Sequence, residues 1–204
     1  RQYARHRQGL IENGADYIKK MQQAMRLMNI RLDAVISDVT GESGRAIVKA
    51  IINGESDPKV LASFASYRIR KSKEELEKAL TGQWKAEYVF ELKQSYELYE
   101  FFHAKVRECD KAIAELLEQK IEENEKADGE VRPELTQNTR KKKGKNGPEM
   151  DIEKLSFQLL GGIDLAKIEG VSGQTILSII SEVGVNIADF ATAKRFTSWL
   201  HLAP

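Results

Sequence analysis

The sequence predicts an all-α protein: a long helical hairpin or coiled coil with short helices around it, followed by a small helix-hairpin-helix-like unit. Three observations carry this reading. Residues 85–126 hold an apolar stripe at 3-4 spacing, the period of one helix face. Residues 1–28 hold a second stripe of the same kind. Between residues 163 and 184, a tight Gly170-Val-Ser-Gly173 turn separates a short helical segment from a second, apolar one. No stretch supports a strand.

In the first helix, residues 1–28, Tyr3, Leu10, Tyr17, Ile18, Met21, Met25 and Met28 share one broad face. Gly9 and Gly14 weaken it by about 1 kcal/mol each relative to alanine. Asn29–Ile36 reads as an apolar connector. Thr40 is placed to cap a helix from Ser43 to Ile52, which Asn53-Gly54 ends. Asp57-Pro58 joins an N-cap to a proline at the first helical position, so residues 58–66 start another short helix. Ser72-Lys-Glu-Glu75 has capping-box spacing and opens a helix that Gly82 closes.

The longest periodic segment follows. Val89, Leu92, Tyr96, Tyr99, His103, Val106, Ile113 and Leu117 keep the 3-4 spacing, and Phe102, Cys109, Leu116 and Ile121 widen the stripe. A seam with a flank is the pattern of a coiled coil or helical hairpin, with helix 1–28 as partner within the chain or across a dimer. Val89, Leu92, Tyr96, Tyr99, Val106 and Ile113 are therefore the candidate oligomerisation residues. Residues 127–150 contain almost no core-forming side chains and read as a flexible basic linker. The expected division is a helical region over 1–126, the linker over 127–150, and the hairpin unit over 151–204.

Bulk properties bound the function. Of 204 residues, 31% are charged and 41% hydrophobic, which favours long solvated helices over a thick core. The net charge of +1 hides segregation: Arg1–Arg7 and Arg140–Lys145 are basic, whereas Glu115–Glu130 is acidic. Local patches, not overall charge, would bind nucleic acid. The single cysteine, Cys109, excludes a disulfide framework, sits in a helical stripe and suits a reducing cytoplasm. No apolar run reaches the roughly 18 residues of a membrane span, and no signal peptide is visible.

The Gly170-Val-Ser-Gly173 turn is the leading candidate site. Gly170 can take a positive φ, Gly173 lets the backbone approach a ligand, and Ser172 can cap the following helix. With Gln174 and Thr175 these residues present N–H groups at a helix N-terminus, where a phosphate can bind. An ordinary turn joining two packed helices is the competing reading. Lys194 and Arg195, at the start of the next helix, and the run Arg140, Lys141, Lys142, Lys143 are candidate phosphate contacts, salt-dependent and indifferent to sequence. The run reads equally as a solvated linker. Arg68-Ile-Arg-Lys71 could touch phosphate but reads as plain surface. Asp38-Val-Thr-Gly-Glu-Ser-Gly-Arg45 lacks phosphate-loop spacing and reads as a turn into a helix. His6, His103 and His201 are too dispersed for zinc, and no catalytic residue is assigned.

Four segments together resemble the bridge-RNA-guided transposases of bacterial insertion sequences, of insertion sequence one-ten type. Arg5-His-Arg-Gln-Gly-Leu-Ile-Glu through Met21-Gln-Gln-Ala-Met25 is similar to the helix after that family's first catalytic domain. Asn29-Ile-Arg-Leu-Asp-Ala-Val-Ile-Ser-Asp-Val-Thr-Gly through Ile51-Ile-Asn-Gly-Glu-Ser-Asp-Pro58 resembles its central helical segment. The helix after Trp84 resembles its coiled coil. Gly170 through Gly184, then Ala193-Lys-Arg-Phe-Thr-Ser-Trp-Leu-His-Leu-Ala-Pro204, resembles the opening of its C-terminal transposase domain. Two features depart from the usual hairpin pattern: Ser172 stands in place of glycine and Ile176 in place of a small residue.

The resemblance implies a piece of a longer enzyme, and a chain that starts on Arg1 and stops on Ala-Pro fits that expectation. The implied parent cuts and rejoins DNA through a phosphoserine link. It has an acidic, magnesium-binding RNase-H-like domain and a serine nucleophile, both outside the matching segments. This chain is thus expected to hold no cofactor of its own. DNA, a structured guide RNA and a second copy are its expected partners. A free-standing, non-enzymatic helical module that binds nucleic acid or oligomerises is the alternative.

Overall fold

A computed structural model describes residues 1–135, 144–185 and 191–199. Every regular element among them is a helix, as the periodicity predicts. In chain order these are α1 (Gln2–Leu27), α2 (Leu32–Val35), α3 (Glu42–Ile52), α4 (Pro58–Ser63), α5 (Lys73–Ala79), α6 (Ala86–Asp128) and α7 (Ile152–Leu159). A 3₁₀ turn (Leu165–Lys167), α8 (Gly173–Val183) and α9 (Ala193–Trp199) follow. The chain forms two compact units. One is continuous, Gly9–Lys105; the other is split, joining Arg1–Gln8 to Val106–Pro204. The second part of α6 thus shares a unit with α7 and α8.

In the continuous unit, α1 buries Met21, Met25 and Met28 against Leu92, Tyr96 and Tyr99 of α6 and the apolar faces of α3 and α5. Each such side chain contributes roughly 1.5–3 kcal/mol when fully buried, enough to offset two glycines in α1. Gly14 also has a packing role. A Cβ there would stand 3.6 Å from Phe102, whose ring stacks on Tyr17 at 5.6 Å between centroids.

Local chemistry sets the short helices. Asn29 takes a left-handed φ of 61° after α1, and Ile30 N–H returns to the Met25 carbonyl at 2.8 Å. The connector expected over Asn29–Ile36 contains the one-turn helix α2, too short for periodicity to reveal. Gly41, not Thr40, is the N-cap of α3. The Thr40 hydroxyl and N–H both donate to Asp38 Oδ1, closing a turn ahead of the helix. Asp57 caps α4 beside Pro58, and Ser72 with Glu75 forms a complete capping box on α5. Gly82 lies beyond the end of α5 and serves a close approach: a Cβ would fall 2.5 Å from the Met28 carbonyl oxygen.

In the split unit, Ile113, Leu117 and Ile121 of α6 pack with Ile152, Leu155 and Leu159 of α7 and Ile176, Leu177 and Ile180 of α8. Asp151 caps α7 and Ser172 caps α8. Cys109 is buried, and that burial pushes its thiol pKa up. Within residues 144–150, expected to be linker, Pro148 is buried and faces Gly173, and Met150 packs against the core of this unit.

Candidate nucleic-acid interface

Gly170 has φ 80°, a left-handed conformation that glycine adopts without a steric penalty. This turns the chain from the 3₁₀ segment toward α8, with Val171 N–H on the Ile168 carbonyl at 3.2 Å. The Ser172 hydroxyl accepts the Thr175 N–H at 3.2 Å and lies 2.9 Å from the Thr175 hydroxyl. Gly170, Ser172 and Thr175 are exposed. Gly173 has a packing role. A Cβ there would meet Ile152 Cγ2 at 3.0 Å, so its small size lets α8 close on α7.

Gln174 points inward. Its Oε1 accepts from the Arg7 guanidinium at 2.9 Å. Arg7 also donates to the Asn146 carbonyl at 3.0 Å and forms an ion pair with Asp110 at 2.5 Å. Both charged side chains are almost wholly excluded from water, at 1% and 3% exposure. Asp110 receives a further bond from Glu149 N–H at 3.1 Å. Four segments thus meet at one buried cation, which satisfies most of the donors a guanidinium carries. Sequence reading missed this pair, although the signal was present. Asp110 stands four residues after Val106 and three before Ile113, and Arg7 stands between Tyr3 and Leu10, both on apolar stripes. A charge on a buried stripe needs a partner.

Arg1 and Arg5 of the N-terminal basic segment share one acidic partner at the surface. Arg5 grips the Glu182 carboxylate through two bonds of 2.8 Å, and Arg1 Nη2 donates to the Glu182 carbonyl at 2.7 Å. Arginines at the C-terminal end of α8 face the negative end of its dipole. The Arg5 hydrogen bonds and charge hold the Glu182 carboxyl below the usual glutamate range.

Beside the turn lies a cleft of about 1280 Å³, lined by residues 144, 146–153, 166, 167 and 169–174. Its charged lining is mostly acidic: Glu149, Asp151, Glu153 and Glu169 against Lys167. Ser172, Gly173 and Gln174 line the same cleft, so these carboxylates oppose a phosphate that approaches the turn from it. Lys194 and Arg195 are exposed in the first turn of α9, where the Thr192 hydroxyl accepts the Arg195 N–H at 3.2 Å. Arg140, Lys141, Lys142 and Lys143 lie outside the described residues.

The candidate oligomerisation stripe faces the chain's own cores. Leu92, Tyr96 and Tyr99 are buried in the continuous unit, with Val89 packed against them. Ile113 is buried in the split unit and Val106 is half-buried. The outward apolar side chains of the first part of α6 are Phe90, Leu98 and Phe101.

Among the described residues no three His, Cys, Asp or Glu side chains converge to hold a metal ion, and no helix is long and apolar enough to cross a membrane. No protein-family model matches the chain, nor does any curated protein or solved structure.

Proposed function

We propose that this chain is a helical scaffold segment of a cytoplasmic DNA transposase of insertion-sequence type. In this reading it contributes dimerisation and the positioning of DNA or a guide RNA, and does no strand chemistry itself. The four-segment resemblance points to the family. The observation that supports nucleic-acid positioning is the turn at Gly170–Thr175, where a positive-φ glycine and a capping serine leave Gly170, Ser172 and Thr175 exposed at the start of α8.

The test is fluorescence anisotropy with a labelled duplex at low salt. Weak, sequence-indifferent binding is expected, on the order of 10⁻⁴–10⁻⁶ M, falling as salt rises. Lys194→Glu with Arg195→Glu should weaken it. Deleting residues 140–145 separates the share of that run. Binding that survives the α9 charge reversal but vanishes on the deletion would leave the hairpin a purely structural turn.

The alternative is a self-sufficient helical module. It draws support from the pairing of Arg1, Arg5 and Arg7 with carboxylates of the same unit. Reading the coding sequence on either side of this segment decides between them. A preceding acidic RNase-H-like domain and a following serine-containing segment support the transposase; a start and a stop codon at these ends support the module.

A further inference from the structure

The continuous unit brings together two segments that the sequence keeps apart: the turn ahead of α3 and the loop joining α4 to α5. They line one groove of about 560 Å³, with Asp38, Gly41 and Glu42 on one side and Arg68, Arg70 and Lys71 on the other. The loop is built rather than slack. Ser66 N–H donates to the Ser43 hydroxyl of α3 at 2.9 Å, and Ile69 N–H returns to the Ser66 carbonyl at 3.0 Å. Ile69 packs against the core, which anchors the loop and leaves its neighbours Arg68 and Arg70 exposed. No ion pair among the described residues engages either arginine, whereas Lys71 is held by Glu75 at 2.9 Å. Between two lining residues stands Tyr67, 89% exposed, with the Arg68 guanidinium 5.6 Å from its ring centroid.

We propose that this groove binds single-stranded nucleic acid, with Arg68 and Arg70 on the phosphates and Tyr67 stacking on a base. Two cations beside an exposed ring supply what a single strand offers and a duplex hides: a flexible phosphate chain and an open base face. Asp38 and Glu42 repel phosphate from the α3 side of the groove and favour a strand lying along the Arg68–Arg70 edge. The inference rests on the reading that the chain handles nucleic acid, but concerns a different surface from the α8 turn.

The experiment uses the full chain and labelled oligouridine, oligothymidine and duplex DNA in anisotropy titrations over a range of salt. Thermal unfolding checks that each variant is folded. Tyr67→Ala should weaken single-strand binding about ten-fold and leave duplex binding unchanged. Arg68→Glu with Arg70→Glu should abolish it, and Arg68→Gln with Arg70→Gln should flatten its salt dependence by about 1.4 in the log–log slope. The uridine and thymidine arms show whether RNA or DNA is preferred. Charge reversal that acts while Tyr67→Ala is silent would make the groove a plain anion site and overturn the assignment. So would single-strand binding indifferent to all these variants. If those variants are silent while Lys194→Glu with Arg195→Glu still removes duplex binding, the groove is wrong and the proposed function stands.

Discussion

Arg7 and Asp110, 103 residues apart in the chain, form an ion pair inside the split unit with almost no exposure to water. Removing either partner leaves the other charge buried and uncompensated. Arg7→Ala or Asp110→Ala should each cost about 3–5 kcal/mol, read as a lower urea midpoint by circular dichroism. The double replacement Arg7→Met with Asp110→Leu should recover most of that loss. Equal loss in the double and single variants would show that packing, not charge, dominates.

Glu182 supplies a pH dependence whose sign is fixed. Its folded pKa is depressed, so its contribution is present above the ordinary glutamate value and is lost as pH falls through the folded value. Wild type should therefore melt above Glu182→Gln at neutral pH, and the gap should close on acidification through the carboxylate range. High salt should shrink it too, because these side chains are exposed. A gap that persists in acid would rule out the Arg5–Glu182 clasp as its source.

Glycine substitutions should split by position. Gly9→Ala, in α1 with nothing within 4 Å of the added Cβ, should stabilise by about 0.5–1 kcal/mol. Gly44→Ala would put a Cβ 2.2 Å from the Val39 carbonyl oxygen, and Gly82→Ala one 2.5 Å from that of Met28. Each should destabilise by about 1–3 kcal/mol. Gly173→Val should also destabilise, through Ile152. Thermal melts of the four variants check this order.

Self-association through α6 should depend on its outward face. Phe90→Glu with Phe101→Glu, at residues 62% and 52% exposed, should leave a folded monomer. Leu92→Asp, at a fully buried position, should unfold the continuous unit. Sedimentation with circular dichroism separates the two. Dimers that survive the phenylalanine changes would place the interface elsewhere.

What the sequence made legible follows the range of each interaction. The caps at Asp57-Pro58, Ser72–Glu75 and Ser172 act over two or three residues, and local chemistry is enough to read them. Gly54 and Gly170 take the positive φ their turn positions suggest. The inward face of α1 was readable from period alone, Tyr3 excepted, which is exposed. Long-range pairings were not readable. Gly82 looked like a helix stop because nothing local points to Met28, and Arg1–Arg7 looked like a basic patch because Glu182 and Asp110 lie far along the chain. At the candidate site, the turn geometry was legible, whereas the inward turn of Gln174 toward Arg7 depends on a helix 167 residues away.

The split unit's closure also sets a timetable for synthesis. Every residue of the continuous unit has been made once Lys105 is added, so that unit can fold on the emerging chain. Arg7 is made earlier still, but its partners at 110, 146 and 174 come last. Until then its guanidinium stays hydrated on α1. The search that ends this wait spans separations of 103 to 167 residues, which makes docking of residues 1–8 the expected slow step in folding.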